Sequence, residues 1–112
     1  MLVRHGSDAP PSFRPEDLSE KWTVVLGTAD GERLREELVR EIAVGHPLHG
    51  TRVQPVAVRQ HVKETIYWLP DEAAWAVVHL TWAAEPDPRW PTAVLLDTWS
   101  HVVAELADRG RT

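Results

Sequence analysis

The sequence predicts an α+β domain: a three-stranded antiparallel meander with α-helices packed on one face, in the order α-β-β-β-α. Three observations carry that prediction. Leu34, Leu38 and Ile42 recur every four residues between a capping signal and a glycine–proline stop. β-Branched and aromatic residues dominate from Thr51 to Trp82, broken only by short turn signals, so consecutive strands are joined by hairpins. A second helical stripe, Leu95, Trp99, Val102 and Leu106, closes the chain.

Taken in order, residues 1–14 hold Pro10 and Pro11 and few apolar groups, and read as a mobile N-terminal arm preceding a single domain over 15–112. Pro15 opens a short acidic stretch suited to one or two helical turns, and Trp22–Leu26 is β-branched and extended. The first helix is expected from Gly31 to Val44, with Asp30 as N-cap. Glu36 and Arg40 form a favourable pair on its wet side, and Glu37 and Glu41 an unfavourable one beside it. Gly45 supplies a left-handed cap and Pro47 prevents continuation.

The first strand of the meander is expected over Thr51–Val62, where Pro55 cannot donate to a ladder and demands an edge or a bulge. Lys63–Leu69 is the second strand and Pro70–Glu72 a turn. Ala74–Trp82 is the third, apolar enough to be buried on both sides. A final helix is expected over Thr92–Asp108, its stripe widened by Leu96 and Val103. Helices on one face leave the other to be polar, covered by the N-terminal segment, or a partner surface.

Composition excludes whole classes of function. The chain has 112 residues, enough to bury a core of its own, and no cysteine. Disulfides, zinc–thiolate sites, iron–sulfur clusters and thiol catalysis are thereby absent, and a cytoplasmic location is the simple expectation. No apolar run has signal-peptide or membrane-spanning length, so no membrane partner is expected. The formal charge of −5 is spread along the chain and the arginines sit among acids, which argues against nucleic acid. Abundant alanine, valine and arginine hint at a GC-rich bacterial genome.

The chemistry candidates lie in Ala73–Pro91. A turn centred on Asp71 and Glu72 sets Trp68 opposite Trp75, Ile66 opposite Val77 and Glu64 opposite His79, all on one face. A carboxylate beside an imidazole fixes its tautomer, as a structural histidine or as a reactive one. His46, His49 and His79 offer three imidazoles for a metal, with Glu85 or Asp87 as a fourth ligand, although Pro47 keeps the first two off a regular helix. Pro86, Pro88 and Pro91 stiffen the segment AEPDPRWP, which then holds Arg89 and Trp90 as a core plug or a pocket wall. Of the six tryptophans, Trp75, Trp82 and Trp99 are expected in the core, and Trp68 and Trp90, at element ends, at a pocket or interface. No nucleophile elbow, phosphate loop or dinucleotide fingerprint is present.

Through HPLHG, AVVHLTW and DPRWP the chain resembles a group of small bacterial proteins of uncharacterised function that share an HPLxG turn, a VVHLTW strand and a proline–tryptophan–proline loop. The resemblance spans Gly45–Trp99. It implies His46, Pro47, Leu48, Gly50, His79, Thr81, Trp82, Trp90 and Pro91 as shared positions, leaves His49 outside, and transfers no activity.

The resulting expectation is a non-catalytic cytoplasmic domain, accessory or neutralising, that binds a protein partner, a second copy or a small ligand, without a cofactor. Its contact would be the uncovered sheet face and the Trp82–Pro91 loop, with His79, Glu64, Trp68, Trp75, Glu85, Asp87, Arg89 and Trp90 as binding residues. The rival expectation is a small metal-dependent hydrolase built on His46, His79 and Glu85 or Asp87.

Overall fold

A computed structural model describes residues 10–59, 64–83 and 86–108. Its centre is a five-stranded antiparallel sheet in sequential order. The strands are β1 (Trp22–Val24), β2 (Gln54–Arg59), β3 (Glu64–Leu69), β4 (Ala74–His79) and β5 (Thr92–Leu96). Helix α1 (Ala29–Glu41) connects β1 to β2, and α2 (Trp99–Asp108) follows β5. The α+β class stands, but the meander has grown by a strand at each edge. No helix among the described residues is long and apolar enough to cross a membrane.

The helices lie on opposite faces of the sheet, which corrects the expectation that both would cover one. Alternation along β3 and β4 creates the two faces. Tyr67, Leu69, Ala76 and Val78 join Leu34 and Leu38 of α1 on one side. Ile66, Trp68, Trp75 and Val77 join Trp99, Val102 and Leu106 of α2 on the other. The β3–β4 register agrees with the sequence reading at all three of its pairs, Trp68 with Trp75, Ile66 with Val77 and Glu64 with His79.

Three boundaries moved for physical reasons. Helix α1 starts earlier than expected because Thr28 is its N-cap, accepting the Gly31 N–H at 3.0 Å. Gly31 is also required by space, since a Cβ there would stand 2.4 Å from the Val25 carbonyl oxygen. Pro55 is accommodated by a register shift between Pro55 and Ala57, so the bulge rather than the edge resolves its missing N–H, and β2 lies between β1 and β3. Thr92–Leu96 is strand, not the first turns of a helix. It pairs with β4 from Trp75–Leu96 to His79–Thr92, and α2 begins only where Thr98 accepts the His101 N–H at 3.1 Å. Backbone pairing along all of β5 outweighs a stripe that Leu95 and Leu96 join only by coincidence of spacing.

The α2 face is an aromatic cluster. Trp75 meets Trp68 and Trp99, each at 5.0 Å between ring centroids, and Phe13 meets Trp99 edge-on at 4.9 Å. Phe13 belongs to the expected arm, so the arm's last residues are docked on this face; residues 1–9 lie outside the described chain. The Trp99 indole N–H donates to Asp17 at 2.8 Å and ties the 3₁₀ turn Pro15–Asp17 to α2.

Candidate functional site

The three segments HPLHG, LTW and DPRWP meet at one end of the sheet, and polar side chains that the fold buries bring them together. His46 is 5% exposed with both ring nitrogens engaged. The Leu48 N–H donates to Nδ1 at 3.0 Å, so that nitrogen carries no proton, and Nε2–H donates to the Pro91 carbonyl at 2.7 Å. One tautomer thus clamps the turn after α1 to the carbonyl of Pro91, the residue that follows the cis Trp90–Pro91 bond. Gly45, at φ +98°, completes the junction, because a Cβ there would touch Pro88 at 3.4 Å.

Glu41 makes the second clamp and is wholly buried. Its Oε1 accepts the Thr81 N–H at 2.8 Å and the Thr81 hydroxyl at 3.1 Å, while Oε2 accepts the Trp82 N–H at 2.5 Å. Trp82 sits at φ +61°, a left-handed conformation that bulky residues adopt only when their surroundings impose it. Burial first and a hydrogen bond shared with Glu37 second raise the Glu41 carboxyl, the bonds from Thr81 and Trp82 oppose them, and the net result is about 7. Glu37 is itself held by a bidentate contact from Arg40, at 2.9 and 2.7 Å to its two oxygens.

Around these clamps the expected site residues separate. Glu64 and His79 are opposite in register, but Glu64 is buried, His79 is exposed, and no hydrogen bond joins them, so the expected tautomer-fixing contact is not made. Trp68 and Trp75 are mostly buried in the aromatic cluster, with part of each lining a cleft beside Ala73 and Thr98. Trp82 is 44% exposed rather than core, because the chain leaves the strand at His79 and turns at Thr81. Trp90 is 45% exposed, as its position at an element end suggested. Asp87 and Arg89 pair with one another across the loop, 2.6 Å at the closest, and the guanidinium and N–H of Arg89 hold the Asp87 carboxyl down at about 2. Glu85 lies outside the described residues.

The histidine metal arrangement is not formed. His46 has no free nitrogen, His49 is exposed on the turn, and among the described residues no three His, Asp or Glu side chains gather in a way that could hold an ion. The hydrolase reading loses the ligand on which it was built. A small ligand, however, has a place to go. A cleft of about 310 Å³ opens between α1 and the sheet. Thr65, Leu80, Val58 and Leu34 line its depth, and Trp82, Asp30 and Arg33 its rim.

Glu41 and Thr65 are buried polar residues of this region that sequence reading missed. Glu41 lies seven residues after Leu34 and three after Leu38, on the buried stripe by helical geometry, and its charge alone suggested the wet side. No family model, curated protein or solved structure matches the chain.

Proposed function

We propose that this chain is a non-catalytic binding protein whose contact for a protein partner or a second copy is edge strand β5 and the loop that enters it. The supporting observation is the character of that edge. β5 reads TAVLL, with no charged residue and no internal proline, ends the strand order, and exposes Leu95 at 52%. Natural edges are usually blunted by lysine, proline or a bulge, because their unpaired N–H and C=O groups template another strand. Trp90 stands two residues before the first residue of the strand, 45% exposed, and is followed by Pro91, whose carbonyl His46 holds. A tryptophan held in one pose anchors a contact with little entropy left to lose.

The sheet face expected as the contact is closed by α1 and α2, so the surface moves to the edge. A photo-crosslinking residue at Leu95, combined with sedimentation equilibrium, tests the reading. The expected result is one cross-linked species, a second copy or a single partner, that a Trp90→Ala variant with unchanged thermal unfolding no longer forms. A protein that stays monomeric at high micromolar concentration and cross-links to nothing would remove the proposal.

A further inference from the structure

We infer that the cleft beside Trp82 binds a small aromatic carboxylate bearing a hydrogen-bonding substituent at the far end of its ring. The cleft is about 310 Å³, at the small end of the roughly 300–1,000 Å³ that ligand sites occupy, so its size suits a single ring. Its lining is ordered by depth. Thr65 at the bottom is fully buried, and its Oγ1 has no partner in good hydrogen-bond geometry, only the Tyr67 hydroxyl lying near enough to interact with it. The nearby Tyr67 hydroxyl has spent its own proton on the Leu34 carbonyl at 2.8 Å. A buried hydroxyl without an aligned partner costs free energy that a ligand group can recover, and threonine can donate or accept.

Above Thr65 comes an apolar collar of Leu80, Val58 and Leu34, which are 1%, 4% and 7% exposed. Trp82 forms the side with an indole available for stacking. At the mouth Arg33 and Asp30 are exposed and paired through one Arg33 nitrogen, Nη2, leaving the other donors of the guanidinium for a second carboxylate. A buried hydroxyl, an apolar lining, an indole and an exposed guanidinium together match a polar ring substituent, a ring and a carboxylate. Glu41 fixes the Trp82 backbone from behind, so the wall is in place before a ligand arrives.

The site is distinct from the β5 edge and does not depend on it. The probe is 4-hydroxybenzoate, followed by amide and indole resonances of the full chain. Saturable shifts are expected at Thr65, Leu80 and the Trp82 indole. Thr65→Val, near-isosteric and favourable in a strand, should weaken binding about fivefold or more. Arg33→Ala, at an exposed position, should do the same, and Trp82→Ala should weaken it further. Benzoate, lacking the hydroxyl, should bind the wild type as weakly as 4-hydroxybenzoate binds Thr65→Val. Leu95→Lys should leave all of this unchanged, which separates this site from the edge. Absence of saturable shifts at millimolar probe, shifts centred elsewhere, or affinity indifferent to Thr65→Val and Arg33→Ala would overturn the inference.

Discussion

On the α2 face the sheet is closed by rings: Trp22, Trp68, Trp75 and Trp99, with Phe13 laid against them. On the α1 face it is closed by smaller aliphatic residues and by polar groups the fold has buried, with Tyr67 bonded to Leu34, Glu41 to Thr81 and Trp82, and His46 to Leu48 and Pro91. The first face draws stability from area. The tryptophan rings each remove about 150–250 Å² from water, with the Trp99 indole bonded to Asp17 as a specific polar contact. The second face trades some of that area for position. Most buried polar groups there are held by a partner, which is a carbonyl of α1 for Tyr67 and backbone groups of the connections for Glu41 and His46. The consequence is functional. The exposed tryptophans Trp82 and Trp90 both belong to connections pinned from the α1 side, whereas every tryptophan of the α2 face is inside.

Trp75→Ala should break the comparison most severely. It empties the centre of the ring cluster and should destabilise the fold by about 3–5 kcal/mol, read from urea unfolding. The amides of Thr81 and Trp82 should become more labile only to the extent that global stability falls. Local loosening of those two amides in this variant would mean that the faces are not independent.

Glu41→Ala tests the other side. Two backbone N–H groups lose their acceptor, and the expected loss is about 2–4 kcal/mol. Here the signature is local: hydrogen exchange at Thr81 and Trp82 should accelerate beyond the global change, with the Trp75 cluster unaffected. The same carboxyl makes stability depend on pH. Glu41 titrates near 4.5 when unfolded and near 7 in the fold, so the folded state binds the proton more tightly. Its contribution is complete below pH 4.5 and is lost as pH rises through about 7. Unfolding free energy should therefore fall between pH 5 and 7.5 by at most about 3 kcal/mol, and Glu41→Gln should flatten that slope even though it lowers stability throughout. A wild-type profile rising with pH over this interval would place the carboxylate's own hydrogen bonds above burial in the balance.

The asymmetry between the faces also explains what could be read in the sequence. Rings and alternation are one-dimensional signals, so Trp68–Trp75, Ile66–Val77 and Glu64–His79 were legible from one hairpin turn. Polar clamps are not legible in that way. Glu41 was read as solvated because its partners lie forty residues away on a turn that sequence reading extended as strand. Thr92–Leu96 read as helix because Leu95 and Leu96 fit a stripe, while the signals against it, Thr98 as a cap and a neighbouring β4 edge in need of a partner, were non-local or weak. His46 stands out in the sequence, but the identity of its partner does not, since its bond to Pro91 joins segments that only the folded chain brings together.

His79 is where the comparison is sharpest and the expected effect smallest. It sits in the most conspicuous stretch of the chain, opposite Glu64, on the α2 face where packing dominates. It lies at the end of β4, however, beyond the rings, exposed and without a hydrogen bond to Glu64. A side chain with solvent on one side and no hydrogen bond among the described residues has little to lose, and His79→Ala should change unfolding free energy by no more than about 0.5 kcal/mol. It should also leave the exchange of the Thr81 and Trp82 amides as it is, because Glu41 and not His79 holds that turn. A loss of 2 kcal/mol or more would show that the edge of the α2 face relies on polar contacts as the α1 face does. The division between a face built on area and a face built on position would then be wrong at the end of the sheet where Trp82 and Trp90 emerge.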